Sequence, residues 1–414
     1  MRLVPLAYLS SYFLSLLGNS IAAIALPLIV LQATGSALGA GIVAAATAIP
    51  AVFTGLLMGV VIDRINRRTS SVVTDVISAL AIGALPVVDM ISGLSIGWFV
   101  LFGIIGSLGD VPGMTARETL LPAVVTHSGV SAERLIGLRE ALGAVALVVG
   151  PAVAGLLIVA FDGSTVLWVT AATSLAAALV TLVIPHRVGR VTAMAGDESP
   201  GSGWAQLRAG WRALMHSPFL VAVTVISLLA VTVLAALQSL VLPVYFTVIE
   251  QPGLLGFVLT ALAVGLLMGA GAYSAVGHRG ARRVWFLSGL ISSTVGFALI
   301  AWLPSPVVVF GGAVILGAAS GILNSVVGVL MIERIPDHVR GRVLSSQNAV
   351  LTVAAPAGIM AAALLVEFAT LTIASASIAG LWLIALAVGV FARSLRTLDR
   401  DAEHPGEVDP DAQQ

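Results

Sequence analysis

Twelve apolar runs dominate the chain, near 4–31, 37–61, 69–91, 95–116, 136–160, 164–185, 218–248, 253–276, 284–302, 306–331, 344–366 and 371–393. Each is close to or above the roughly 20 residues that carry an α-helix across hydrocarbon. The first is longer than the apolar core of a signal peptide, about 7–15 residues, so it is read as a span rather than a leader. Short turns separate the runs in pairs, and longer polar stretches separate the pairs.

The polar stretches fix the orientation. All twenty basic residues are arginine, and they fall in seven groups, with Arg2, Arg64 to Arg68, Arg117 to Arg139, Arg187 to Arg212, Arg279 to Arg283, Arg334 to Arg342 and Arg393 to Arg400. Two apolar runs lie between consecutive groups. The turns in the middle of each pair carry only acids, namely Asp89, Asp162, Glu250 and Glu367. Cationic loops stay on the cytoplasmic side. Twelve spans with both termini cytoplasmic is the reading that places every arginine on one side, in a multi-pass protein of the inner (plasma) membrane.

Composition agrees with this. Hydrophobic residues make up 58% and charged residues 10%, against roughly a quarter charged in soluble domains. Arginine clusters beside spans are topological, so no nucleic-acid partner is expected. With no cysteine, disulfides and thiolate metal sites are excluded. The six histidines are scattered through loops and the tail, and no nucleotide-binding P-loop is present. No enzyme, metal or cofactor constellation stands out, and ATP is excluded as a direct energy source within this chain.

The pattern is doubled. Leu26-Pro27 recurs as Leu242-Pro243, the 63–68 loop (DRINRR) recurs at 278–283 (HRGARR), and Pro122 recurs as Pro336. The offsets are 216, 215 and 214 residues. A six-span unit repeated in the same order predicts an all-α membrane protein, twelve transmembrane helices in two six-helix repeats. Such repeats form a binding site at their interface. The expected domains are an N-terminal bundle at 1–185, a cytoplasmic linker at 186–217, a C-terminal bundle at 218–393 and a disordered tail at 394–414. Within the linker, Trp204, Leu207, Trp211 and Leu214 recur at helical spacing beside Arg208 and Arg212. They form an amphipathic helix, either on the inner membrane face or packed on the other loops.

The stretch Gly59-Val60-Val61-Ile62-Asp63-Arg64-Ile65-Asn66-Arg67-Arg68 resembles the signature loop of the major facilitator superfamily, G-x-x-x-D-R-x-G-R-R/K. Gly59 permits close helix approach, Asp63 is suited to a helix N-terminus, and the arginines can pair with acids or lipid phosphates. Asn66 stands where the family has its second glycine, and Asn tolerates the left-handed conformation that glycine would supply. The resemblance implies the major facilitator fold and a gating role for Gly59, Asp63, Arg64, Arg67 and Arg68; a purely topological role is the alternative. Gly137, Ala146, Gly150-Pro151 and Ala154-Gly155 resemble the antiporter motif of exporters, with Gly150 and Pro151 as its gating pair. Pro151 cannot donate to Leu147 and loosens the helix there. Met114 to Pro122, Glu133-Arg134-Leu135, Arg340-Gly341-Arg342-Val343 and Gln238 to Phe246 resemble the Tap-type multidrug exporters of actinobacteria and related siderophore and macrolide exporters.

What such a transporter carries depends on its few intramembrane polar groups, which are functional candidates by default. Asp75 and Glu140 are read as structural, paired with loop arginines. Asp110 is the proton-coupling candidate, because it sits in the last third of span 4, where the helix dipole opposes its charge. An ion pair with Arg117 or Arg139 is its alternative, and Pro112 is expected to open the helix beside it. Asn19, Gln238, Tyr245 and Asn324 are the substrate-cavity candidates. The family resemblance leads one to expect acids at positions 19 and 238, so their amides put proton coupling, or a cationic substrate, in question.

The expected activity is secondary efflux of small amphiphilic or lipophilic compounds, coupled to protons, by a monomer embedded in membrane lipid. Two alternatives remain open. One is a dedicated exporter of an endogenous metabolite such as a siderophore or antibiotic. The other is a non-transporting sensor or scaffold with the same fold.

Overall fold

The computed structural model describes residues 3–62, 65–190, 211–277, 281–303, 305–335 and 337–396, with the side chains of 49, 52–62, 111, 133, 332, 337–342 and 345 outside the description. Asp63, Arg64, the second loop at 278–280, Pro336, Trp204, Leu207, Arg208 and the tail beyond 396 therefore lie outside the described residues, as do the side chains of Arg340 and Arg342.

The described residues form twelve long helices and no strand. They are α1 Leu3–Thr34, α2 Ala37–Ile62, α3 Arg67–Ser92, α4 Ile96–Ser128, α5 Ala132–Ala160, α6 Gly163–Leu182, α7 Pro218–Val248, α8 Leu254–Val276, α9 Arg282–Trp302, α10 Pro306–Arg334, α11 Asp337–Phe368 and α12 Leu371–Phe391. Eleven are long and apolar enough to cross a membrane; α2 has 26 residues, with its described apolar stretch at Ala37–Ala48. Only helices and closed barrels satisfy every backbone group in hydrocarbon. That constraint explains why internal prolines such as Pro27, Pro112 and Pro151 leave their helices continuous.

Three local readings are corrected. Span 4 does not stop near 116, because α4 carries on through Pro112 and Pro122 to Ser128. It ends where Gly129 takes φ +68° and its N–H reaches the Val125 carbonyl, a left-handed cap that glycine accommodates without a Cβ clash. Asn66 is not left-handed either. At φ −57° and ψ 119° it is the N-cap of α3, its Oδ1 accepting from the N–H groups of Arg68 and Thr69. Its amide also donates to the His186 carbonyl at 2.9 Å. Finally, Arg117 is no loop residue but a buried member of α4.

Contacts group the chain into two compact units. The first comprises Met1–Ser199, Leu234–Ala261 and Thr352–Ile378. Within it α1 packs on α5 and α6, α3 packs on α4 and α6, and α2 packs on α4. At one end Val4, Tyr8, Leu120, Val124, Leu135, Ile184 and Val188 form an apolar cluster. This cluster anchors the short 3₁₀ turn His186–Gly189, where the linker begins. Arg68 Nη2 donates to the Leu182 carbonyl at 2.7 Å, close to the same turn. Asp162 caps α6, accepting from the hydroxyl and N–H of Thr165. The hydroxyl bond holds its carboxyl below the ordinary aspartate range. A depressed carboxyl contributes stability above its unfolded value and loses it as pH falls, so this cap is complete at neutral pH.

The second unit comprises Pro200–Val233, Leu262–Leu351 and Ala379–Gln414. Gly265 and Gly269 of α8 face the backbone of Val314 and Ala318 in α10, and Gly317 and Gly321 face α8 in return. Lipid is as apolar as leucine, so membrane helices associate through such close van der Waals contact rather than through hydrophobic burial. Arg282 grips Glu333 with two nitrogens, and the Arg334 guanidinium lies 4.5 Å over the Phe219 ring. Leu395 is buried and Ser394 bonds the Pro218 carbonyl, so the start of the expected tail is held to this unit. Residues 211–216 are helical, with Leu214 buried and Trp211 exposed.

Asn66→Ala removes the α3 cap and should lower stability by about 1 kcal/mol, while Asn66→Asp keeps the acceptor and should cost less. Thermal unfolding of the detergent-solubilised protein reads both.

Candidate functional site

The site is built on the crossing of α3 and α4. A Cβ at Gly109 would lie 2.6 Å from both Ser78 Oγ and the Thr74 carbonyl, and one at Gly113 would lie 2.9 Å from Thr74 Oγ1. Glycine is therefore needed at both positions for this approach. The approach brings Ser78 Oγ to 2.6 Å from Asp110 Oδ1, within hydrogen-bond distance.

Seven residues further along α4 is a second polar level. Arg117 is ion-paired with Asp75 of α3, both are buried, and the Ser15 hydroxyl approaches Asp75 at 3.5 Å. Tyr8 Oη donates to the Arg117 carbonyl at 3.1 Å. Arg139 lies over the Tyr12 ring at 5.3 Å and reaches Glu118 and Glu140 only at 3.5 and 3.8 Å. Asp75 and Glu140 thus do pair with arginines. The alternative of an ion pair for Asp110 is not met among the described residues, because both candidate arginines are engaged elsewhere.

Asp110 opens onto a cavity of about 520 Å³ inside the first unit, lined by α1, α2, α3, α4 and α11. Asn19 lines the same cavity. Most of the remaining wall is alanine, valine, leucine and phenylalanine, with Thr47, Ser107 and Thr352 as its hydroxyls. Among the described residues, Asp110 is the one charged residue in that wall. Phe102, stacked on Trp98 at 6.0 Å, supplies an aromatic face. An enclosure of this size and polarity is typical of small-molecule sites.

The other candidates lie elsewhere. Gln238 is half-buried in a π-helical turn, Leu237–Val241, within α7. Tyr245 is buried edge-on against Phe246 at 5.1 Å. Asn324 is exposed on α10, in the second unit. None of these three lines the cavity. Gly150 sits against the Ser20 side chain of α1, and Gly155 against the backbone of Gly253 and Gly256 at the start of α8. Thr260 adds a hydrogen bond to the Val148 carbonyl at 2.9 Å, one turn from Pro151. Gly59 lies within α2.

Ser78 was missed, and Arg117 was not singled out as the partner of Asp75, although a signal existed. Ser71, Asp75 and Ser78 form a polar stripe at helical spacing in an apolar span, and Asp110 and Arg117 share a face seven residues apart.

The sequence profile of the Major Facilitator Superfamily matches residues 8–278. The chain belongs to the major facilitator superfamily. It is 31% identical over 385 residues to the multidrug efflux pump Tap of Mycolicibacterium fortuitum, covering 92% of this chain and 94% of that one. The Tap pump of Mycobacterium tuberculosis is 31% identical over 361 residues, covering 86% and 85%. Among solved structures, a mutant of the nucleoside transporter NupG superposes with a TM-score of 0.80 at 15% identity, over 94% of this chain and 99% of that one. A bacterial homolog of the human lysosomal transporter Spinster, inward-facing and unoccupied, gives 0.71 at 14% identity, over 96% of each chain. These superpositions establish the fold. This major facilitator protein is a multi-pass membrane transporter by family and not an enzyme.

Asp75→Asn leaves Arg117 charged and unpaired in the interior, which should cost about 3–5 kcal/mol, whereas replacing both by leucine and methionine should recover most of it. Unfolding of the single and double variants in detergent provides the comparison.

Proposed function

We propose that this protein exports small amphiphilic or lipophilic compounds of the drug or antibiotic type across the inner (plasma) membrane, in exchange for protons. The observation that carries the reading is the apolar cavity with a single carboxylate, Asp110, which has no cationic partner among the described residues. An unpaired charge in such a wall is costly, so the carboxylate calls for a proton or a bound positive charge. The 31% identity to multidrug efflux pumps over nearly the whole chain favours a drug-type substrate. The amide at Asn19 adds hydrogen bonding without a second charge.

Transport would proceed by alternating access of two six-helix halves, 1–185 and 218–393, joined by 186–217, with both termini cytoplasmic. The loop of Gly59, Asp63, Arg64, Arg67 and Arg68 and the Gly150-Pro151 crossing would act as gates. Gln238, Tyr245 and Asn324 keep their place as cavity candidates for conformations in which the halves are arranged differently. Membrane lipid and protons are the expected partners of a working monomer.

Cells expressing the protein should accumulate less of an amphiphilic dye than controls, and a protonophore should abolish the difference. Asp110→Asn should lose the pH-gradient-driven component. Unchanged accumulation across a broad panel of dyes and antibiotics, with no counterflow in liposomes, would refute the reading and favour a scaffold.

A further inference from the structure

Most hydroxyls in the spans bond back to their own helix: Thr74 to Ser71, Thr170 to Val166, Thr181 to Ala177, Thr294 to Leu290 and Ser325 to Gly321. That habit is expected where no water can serve. Ser78 departs from it. It is 4% exposed, and its hydroxyl crosses from α3 to the Asp110 carboxylate at 2.6 Å. The crossing is enforced by Gly109, whose missing side chain lets the Thr74 carbonyl and Ser78 sit against α4. Among the described residues, the charged groups within electrostatic range of Asp110 are Asp75 and Arg117, and these two are paired with each other.

We propose that Ser78 is the positioning residue for Asp110, holding its carboxylate at the cavity wall and apart from Arg117, so that it stays open to the transported ion. The two levels of the crossing then divide the work. The Asp75–Arg117 pair matches its two charges at one level. Ser78 satisfies one oxygen of Asp110 with a neutral donor, which orients the group without neutralising it. Without Ser78 the Asp110 carboxylate would lose the one donor that fixes its orientation at the cavity wall.

This inference rests on the reading of Asp110 as the coupling acid, and the test separates the two. Ser78→Ala, Ser78→Thr and Asp110→Asn proteins are reconstituted in liposomes with an amphiphilic fluorescent dye. Two activities are measured in each: accumulation driven by an imposed pH gradient, and counterflow without one. A hydrogen bond to a charged group is strong enough that its loss should lower gradient-driven accumulation at least about tenfold. Counterflow by Ser78→Ala should persist, and Ser78→Thr, which keeps the hydroxyl, should recover the driven accumulation. Retained gradient-driven accumulation in Ser78→Ala would overturn the role of Ser78. Equal loss of both activities would also overturn it, showing a merely structural contact. If instead Asp110→Asn keeps gradient-driven accumulation, the coupling reading itself fails.

Discussion

In hydrocarbon no water is available to satisfy a stray polar group, and the organisation of this molecule follows from that constraint. Backbone groups are satisfied within helices, and hydroxyls turn back onto carbonyls of the preceding turn. The deepest arginine is matched to a carboxylate on the neighbouring helix. After this accounting, Asp110 remains as a carboxylate whose one recorded bond is to a neutral donor. A soluble protein could leave such a group to solvent. In a membrane span it stands out as an acid facing an apolar cavity.

The second consequence concerns how helices meet. With little hydrophobic gain between helix and lipid, association depends on close backbone approach. Gly109 and Gly113 bring α4 onto α3, Gly150 brings α5 onto α1, and Gly256 sits against the Pro151 carbonyl. The same residues that allow packing therefore decide which polar side chains become neighbours. Ser78 faces Asp110 because glycine occupies position 109, and a methyl group there would push the two helices apart. Site and packing are one arrangement in this protein.

Much of this was legible in the chain. Twelve apolar runs, arginine groups between every pair and the repeat spacing of 214 to 216 residues led to the helical count, and the resemblance of the 59–68 loop to the superfamily signature led to the family. Helix ends were less legible. Pro122 reads as a loop signal, yet α4 passes through it, since a helix packed on neighbours tolerates a proline that an isolated one would not. Asn66 illustrates a different limit: its conformational tolerance suggested a left-handed turn, while its side-chain oxygen makes it an equally good cap, and the cap prevailed. Cavity membership was the least accessible. Asn19, Gln238, Tyr245 and Asn324 are alike in sequence terms, each a polar residue in an apolar span. Only the rotation of each helix decides that Asn19 reaches this cavity wall while Asn324 is exposed on α10.

The amides at positions 19 and 238 acquire a different meaning once Asp110 is placed. Two further carboxylates would add two unpaired charges to an interior whose buried arginine, Arg117, is already taken by Asp75. Each would have to be neutralised separately before the surrounding helices could move as a body. With a single carboxylate in an apolar wall, one proton or one positive charge on a ligand suffices to make the cavity neutral. Occupancy by either excludes the need for the other, and that exclusivity is the thermodynamic requirement for exchanging them. Under the proposed exchange, amides at 19 and 238 would leave the titrating role to one group on α4.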